Sequence, residues 1–512
     1  MKYNKIKKLI LIGALTSKPY AFKTRSWELK NIDTIDLFES VCSNIKVDVR
    51  GSEIMRILPV LNEKLNEEWI SDKSRFAYDG LQRKRFINPM IKQNGLFVQS
   101  SWNKTFSYLE SILKNQKFNN IIINTGNFND LEQLTVLDNL KSKFNNIIIN
   151  NDIKSNHDLQ EFYTIKNNFF ESEGPQVYIL VGVNLRLENP ILNIKLKKLS
   201  QKNSILIGYI GANHNYNMDL IHLGTSIKTL NDILKGTHQF STLIQNFLKK
   251  NSKNIKIKNL FKNNINLLFG HEALQMKNFN KILNNISAVT PLPFKFNINV
   301  LENYSGKINA KELGLFDNKS TINTTSNLVY LLNSESTKNI KDTDFVIFQG
   351  THNEKIRHKF DIILPSLTWL EKSALYINCF GIIQRTNLVT NPPVNARTDW
   401  KILQMFSLLL ESNFKNKIKI KNNFNNIDDV HYKLNSLTPQ VLESISNYEL
   451  NKSQNLNYKR SKSSKITGQY ANTIFKPLIF DYYKTNSVDK NSKVMTECSN
   501  SITTKKNNFN KN

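Results

Sequence analysis

The sequence predicts an α/β fold, with a small N-terminal β unit followed by α/β domains whose sheets are largely parallel. Three observations carry that expectation. Near the start, Ser43–Arg50 alternates with a period of two, Gly51-Ser52 supplies a turn, and Glu53–Pro59 returns as the second strand of a hairpin. Further on, short continuous apolar runs are interleaved with amphipathic stretches of helical period, the pattern of strands covered on both faces. At 512 residues the chain is too long for a single core and reads as roughly two to four domains.

The elements follow in order. Met1–Ile12 joins a basic segment to an apolar one that is short for a secretory signal, so it is expected to open a buried strand or turn. Residues 26–85 make up the β unit. Beyond it, Asn120–Asn124, Asn146–Asn150, Val177–Gly182, Ser204–Gly211 and Ile265–Gly270 are apolar runs of strand length. A second set, Leu328–Asn333, Phe345–Gly350 and Asp361–Pro365, is expected to complete the same sheet or a neighbouring one. From about residue 413 the chain is rich in Asn and Lys and weakly patterned, and the charged stretch Tyr458–Lys465 reads as a flexible connector. Apolar character returns at Ile474–Tyr483, which suggests an arm that packs on another surface. No apolar run reaches the ~18 residues that a membrane span needs.

Lys and Arg total 70 against 42 Asp and Glu, a net charge of +28. Such a charge suits an anionic partner such as nucleic acid. A second cause competes: residues with AT-rich codons abound, while Gly, at 17, is about half its usual ~7%. Mutational bias in an AT-rich organelle genome accounts for that skew, and the positive charges are scattered rather than gathered on one face. The three cysteines, Cys42, Cys379 and Cys498, are far apart in sequence. They form no Cys-x-x-Cys site or disulfide framework. An iron–sulfur cluster takes about four ligands, mostly thiolates, so none is expected on this polypeptide alone.

Motifs with chemistry are sparse. Val181-Gly182-Val183-Asn184 ends an apolar strand, where open α/β sheets bind nucleotides; equally, Gly182 permits a tight turn and Asn184 caps the next helix. Gly208–Asn213 holds two glycines without the full dinucleotide fingerprint. His352 and His358 are six residues apart, a spacing that suits surface or capping roles better than one metal. The adjacent pairs Glu67-Glu68 and Asp428-Asp429 are expected to point to different faces, unlike a converging general acid and base. No phosphate loop or nucleophile elbow is present.

Several separate motifs carry a resemblance. Trp27-Glu28 and Ser43-Asn44-Ile45 lead into Met55–Pro59, followed by Asn66-Glu67-Glu68-Trp69-Ile70-Ser71-Asp72-Lys73-Ser74-Arg75-Phe76-Ala77-Tyr78-Asp79-Gly80-Leu81. Leu180–Pro190, His222-Leu223-Gly224, Asp361–Ala374, Tyr376-Ile377-Asn378, Gln384, Pro392–Ile402 and Phe480–Ser487 continue the match. With these the chain, over about residues 13–500, resembles the large iron–sulfur subunit family of respiratory complex I, NADH:ubiquinone oxidoreductase. The resemblance implies the fold of molybdopterin-dependent oxidoreductases such as formate dehydrogenase, in a family taken to bind no molybdopterin. In the family, the run Gly13–Phe22 follows a Cys-Pro that closes a cluster site; here Ile10 stands at that cysteine's place. Where molybdenum enzymes of this fold carry Cys-x-x-Cys-x-x-x-Cys, this chain has Cys42 alone, and the family's proline after Asn184 is Leu185.

The expectations that follow are these. Residues 1–25 are a remnant joining a missing iron–sulfur module, 26–85 a β-rich unit resembling the 4Fe-4S domain without its cysteines, 86–412 the molybdopterin-oxidoreductase-like region, and 413–512 a connector and C-terminal arm. The chain is a structural subunit fragment supporting NADH-to-ubiquinone electron transport in the hydrophilic arm, without a redox centre of its own. No catalytic, cofactor-binding or metal-binding residue is assigned, and no cofactor is expected in this chain. Iron–sulfur clusters are expected in a partner chain: the iron–sulfur module as a separate polypeptide, beside other hydrophilic-arm subunits. The location is mitochondrial, on the matrix side of the inner membrane, with synthesis inside the organelle. The alternatives are an active molybdopterin oxidoreductase and a basic nucleic-acid-binding protein.

Overall fold

The computed structural model describes residues 17–509 except 117, 119, 152–163, 167–168, 171–175, 203–204, 215, 252–264, 277–278, 280–281, 284–295, 316–326, 337–339, 414–423 and 439–473. Met1–Ile12 and the charged stretch Tyr458–Lys465 lie outside the described residues. Strands β1 (Lys30–Ile35), β2 (Asn44–Arg50) and β3 (Glu53–Pro59) form an antiparallel sheet in that order. Gly51 takes φ +62°, the left-handed conformation the hairpin turn requires. Ile45, Val47, Val49, Ile54 and Ile57 are buried in one cluster with Phe38 and Trp369, so the alternation seen in the sequence faces a real core.

The α/β body holds two further large sheets. Into the first go β4 (Met90–Gln93), β5 (Leu96–Gln99), β6 (Ile121–Thr125) and β7 (Ile147–Asn151). The chain then builds a separate sheet from β8 (Gln176–Val181), β9 (Ile205–Ile210), β10 (Ile221–Gly224), β11 (Ile265–Phe269) and β12 (Phe296–Val300), ordered β10-β9-β8-β11-β12 with every neighbouring pair parallel. It returns to the first sheet through β13 (Leu328–Leu332), β14 (Phe345–Gly350) and β15 (Ile362–Pro365), ordered β5-β4-β15-β14-β13-β6-β7. A two-stranded pair, β16 (Leu375–Ile377) and β17 (Ile383–Arg385), follows. The second set of apolar runs therefore completes the sheet that β6 and β7 began.

Covered faces explain the unbroken apolar runs. Every residue of β8 is buried. Val177, Ile179 and Val181 meet Leu230, Ile233, Phe240 and Ile244 on one face, while Tyr178 and Leu180 meet Leu192 and Leu196 on the other. At roughly 25 cal/mol per Å² of apolar surface removed from water, each such side chain contributes about 1.5–3 kcal/mol. One strand pair escaped the sequence reading despite a clear signal: Asn94 and Gly95, at φ +49° and +81°, form the two-residue turn that closes the β4–β5 hairpin.

The stretch read as a weakly patterned connector contains a helix, Ile427–Leu437. It packs on the helix Leu131–Lys143 through buried Val430 and Leu434, and His431 Nε2 lies 3.2 Å from Glu132 Oε1. The C-terminal arm packs on this chain itself. Phe475 N–H donates to the Thr225 carbonyl at 3.0 Å beside the five-stranded sheet. The helices Ser487–Asn491 and Lys493–Phe509 then sit against the N-terminal β unit, where Asp79 Oδ2 accepts from the Lys493 N–H at 2.8 Å. Gly80 allows this approach, since a Cβ there would lie 2.3 Å from the Val488 carbonyl oxygen.

Candidate functional site at the strand ends

An open parallel sheet binds ligands beyond the carboxyl ends of its strands, at the point where the strand order reverses. In the five-stranded sheet that point lies between β8 and β11, since β9 flanks β8 on the far side. Gly182 leaves β8 at φ +54° and a Cβ on it would lie 2.8 Å from the Phe475 ring. Glycine is thus demanded both by the turn and by the arm residue seated on it. Asn184 occupies the N-cap position of the short helix Leu185–Glu188, yet its side chain makes no capping bond. Glu188 caps instead. Its Oε1 accepts the Asn184 N–H at 2.7 Å and its Oε2 accepts the His271 N–H, just beyond β11, at 3.1 Å.

One buried carboxylate therefore spans the switch point and takes two amides that a phosphate oxygen would otherwise meet. Burial pushes the Glu188 carboxyl up to about 7, and the two amide bonds restrain the shift. Neighbouring Glu272 is likewise pushed up to about 7 by burial and by the charge on Glu188. His271 is pushed down to about 3 by burial and by Lys307, so it sits there as a neutral imidazole. Tyr209 and Tyr216 close the wall: their rings lie 4.9 Å apart, and their hydroxyls donate to the Ala212 and Val183 carbonyls at 2.7 Å.

The seven-stranded sheet reverses order between β6 and β13. Gly126 follows β6 so tightly that a Cβ would lie 1.8 Å from the Asn333 carbonyl oxygen. Above the strand ends, Asn333 Nδ2 donates to Asn129 Oδ1 and Asp399 Oδ1, both at 3.2 Å, and Gln349 Nε2 donates to Asp399 Oδ1 at 3.1 Å. Lys372 Nζ completes the network, donating to Asp130 Oδ2 at 2.5 Å and Asp399 Oδ2 at 2.6 Å. Burial opposes its charge, but the two carboxylates outweigh that and raise its pKa well above the ordinary value. Burial likewise lifts Asp130 to about 6, against the pull of Lys372. Asp130 also caps the helix Leu131–Lys143, its Oδ1 accepting from the Gln133 N–H at 2.7 Å.

The remaining sequence candidates are scattered. Of the surface or capping roles expected for it, buried His352 is compatible with capping, beside the backbone of Gly80, Leu81 and Arg83; burial and the nearby Arg85 guanidinium push it down to about 3. His358 is exposed. Glu67 and Glu68, expected on different faces, both line a surface hollow of about 550 Å³ with Leu61, Glu63, Lys198, Gln201 and Lys202, and Glu67 pairs with Lys198. That hollow lies away from both switch points. Asp429 Oδ2 accepts the Asn425 and Asn426 N–H groups at 2.9 and 3.1 Å, which is helix capping rather than chemistry. Glu188 and Lys372 were missed because each has a partner remote in sequence, His271 for the one and Asp130 for the other.

Comparison with known proteins supplies the family. Residues 85–408 match the molybdopterin oxidoreductase model, and residues 29–79 match the NADH-ubiquinone oxidoreductase NDSU1/NuoG-like 4Fe-4S domain. The chain is 33% identical to the NADH-ubiquinone oxidoreductase 75 kDa subunit of Reclinomonas americana, over 95% of this chain and 71% of that protein. It is 32% identical to the 75 kDa subunit of Acanthamoeba castellanii, over 97% of this chain and 70% of that protein. It is 31% identical to the mitochondrial NADH dehydrogenase [ubiquinone] iron-sulfur protein 1 of Solanum tuberosum, over 95% of this chain and 64% of that protein.

The match at 29–79 overturns the expectation of no cofactor in this chain, because it places an iron–sulfur-binding region here. The expectation rested on the count of thiols, although residues 26–85 resemble the 4Fe-4S domain in sequence. Within that region stands one cysteine, Cys42, whose thiol burial raises well above its ordinary pKa. Among the described residues no group of three or more His, Cys, Asp or Glu is arranged to hold a metal ion. A cluster seated on this domain would therefore draw further ligands from beyond residues 29–79. A pterin nucleotide fits the switch points poorly, since Glu188, Phe475 and the Lys372 network fill the strand ends. No helix among the described residues is long and apolar enough to cross a membrane. With its molybdopterin oxidoreductase domain, its 4Fe-4S domain and relatives matched along nearly its whole length, the chain belongs to the 75 kDa subunit family of NADH:ubiquinone oxidoreductase, respiratory complex I.

Proposed function

We propose that this chain works as a structural scaffold in the hydrophilic arm of complex I, on the matrix side of the mitochondrial inner membrane, with its molybdopterin-oxidoreductase domain catalytically inert. The observation that carries this reading is the Glu188 carboxylate bridging the Asn184 and His271 amides at the switch point. A protein that used this crevice would leave those donors to its cofactor. Electrons would pass from NADH to ubiquinone through iron–sulfur clusters, with an iron–sulfur module on a partner polypeptide docking beside the N-terminal β unit. Exposed Phe22 and Trp27, at 103% and 79%, support a protein partner there.

Affinity purification of the tagged full-length chain from mitochondria tests the assignment. Co-purification of NADH:ubiquinone reductase activity and of iron–sulfur polypeptides is expected. A chain recovered as a monomer, free of other complex I subunits, would refute it.

A further inference from the structure

Strand β5 ends the seven-stranded sheet, so one row of its N–H and C=O groups faces outward. Natural sheet edges are usually blunted by charged residues, proline or bulges. The edge here is Leu96-Phe97-Val98-Gln99, which carries none of these. Leu96 and Val98 are 74% and 46% exposed, and Ile87 and Val394 beside them are 47% and 98% exposed. The segments that carry Ile87 and Val394 are tied to the end of β5, since Asn88 Nδ2 donates to Gln99 Oε1 at 3.2 Å and Asn88 Oδ1 accepts from Asn395 Nδ2 at 2.7 Å.

The rim of this apolar edge is positive. Between Asp79 and Glu110 the sequence has no acidic residue, but it has Arg83, Lys84, Lys92 and Lys104, besides Arg85, which is buried against Glu371 and adds nothing to the rim. From other elements, Arg357 lies over the Phe97 ring, 4.9 Å from its centroid, and Arg397 lies over the Trp102 ring, 4.7 Å from its centroid. Lys92 Nζ reaches the His358 carbonyl at 2.8 Å, which holds its charge beside the hairpin.

We propose that β5 is a docking edge on which an extended, acidic segment of a partner subunit adds a strand. Main-chain pairing would supply the affinity, and the spaced Leu96 and Val98 side chains the register. The basic rim selects for acidic sequence and against like charge. A second copy of this chain is the poorer occupant: edge-to-edge pairing would bring two basic rims together on chains that each carry +28.

Hydrogen exchange of the full-length chain, free and in the assembled complex, tests this directly. The outward amides of β5, those of Phe97 and Gln99, should slow by about tenfold or more on assembly, while the core strand β6 serves as the folding control. The exposed substitution Val98→Glu, and the pair Lys104→Glu with Arg397→Glu, should each weaken incorporation into the complex with β6 exchange unchanged. Equal exchange at Phe97 and Gln99 in free and assembled chain would overturn the proposal. So would slowing that depends on the concentration of the isolated chain, which would identify a second copy as the occupant.

Discussion

The Glu188 side chain accepts the backbone N–H of His271 at 3.1 Å, joining two residues 83 positions apart across the ends of β8 and β11. Its other oxygen holds Asn184 at 2.7 Å. The chain thus satisfies, from within, donors that the fold ordinarily offers to a ligand.

Glu188→Ala should destabilise the protein by about 2–4 kcal/mol, since each buried N–H left without a partner costs about 1–3 kcal/mol. Glu188→Gln should cost less, because one amide oxygen can still accept. Chemical unfolding of the three proteins checks the order wild type, Gln, Ala.

Lys372→Met removes the cation held between Asp130 and Asp399, 2.5 and 2.6 Å away. Leaving two buried carboxylates without it should cost about 3–5 kcal/mol. The same unfolding measurement applies, and a loss below about 1 kcal/mol would contradict a tightly coupled network.

Stability should fall as pH rises from about 5 to about 9. Asp36, Glu39 and Asp489 lie buried around one cation, Lys73, between the N-terminal β unit and the C-terminal arm, with Asp72, Glu335 and Tyr482 nearby. Burial first of all raises them to about 6, 8 and 7. A carboxyl whose folded pKa is raised contributes stability fully below its unfolded value near 4, and loses it as pH climbs through the folded value. The arm helix Lys493–Phe509 should therefore exchange its amides faster at pH 9 than at pH 6, after correction for intrinsic rates. Glu39→Gln should flatten that dependence.

Gly80→Ala should release the same arm. A Cβ there would lie 2.3 Å from the Val488 carbonyl and 3.1 Å from the Ser492 nitrogen, both backbone atoms that cannot swing aside. Limited proteolysis should cut the variant near residues 487–509 while sparing β6. Unchanged cleavage would show that the arm is held by other contacts.

Much of the framework was legible in the sequence because covered strands leave no room for polar residues, as in Val177–Val181. Strand β12 was hidden for the opposite reason. Its Asn297 and Asn299 break the apolar run, yet their side chains are used, Asn297 Nδ2 donating to Asn266 Oδ1 at 3.1 Å and Asn299 Oδ1 accepting from the Lys166 N–H at 2.9 Å. The turn at Gly182 was legible as backbone geometry, but the plug around it was not. Glu188 meets His271, and Phe475 meets Gly182, only after distant segments come together. Residues 29–79 were legible as part of a unit resembling the 4Fe-4S domain, but the count of thiols pointed away from a cofactor there, against the family match.

On the proposed reading, the chain's own side chains close the two strand-end crevices and the molybdopterin-oxidoreductase domain is a scaffold. The most direct test of that reading is the molybdenum, tungsten and pterin content of purified complex I containing this chain, by elemental analysis and by fluorescence of oxidised pterin. Both should lie far below one equivalent per complex. One equivalent of metal and pterin, released when this chain is removed, would contradict it.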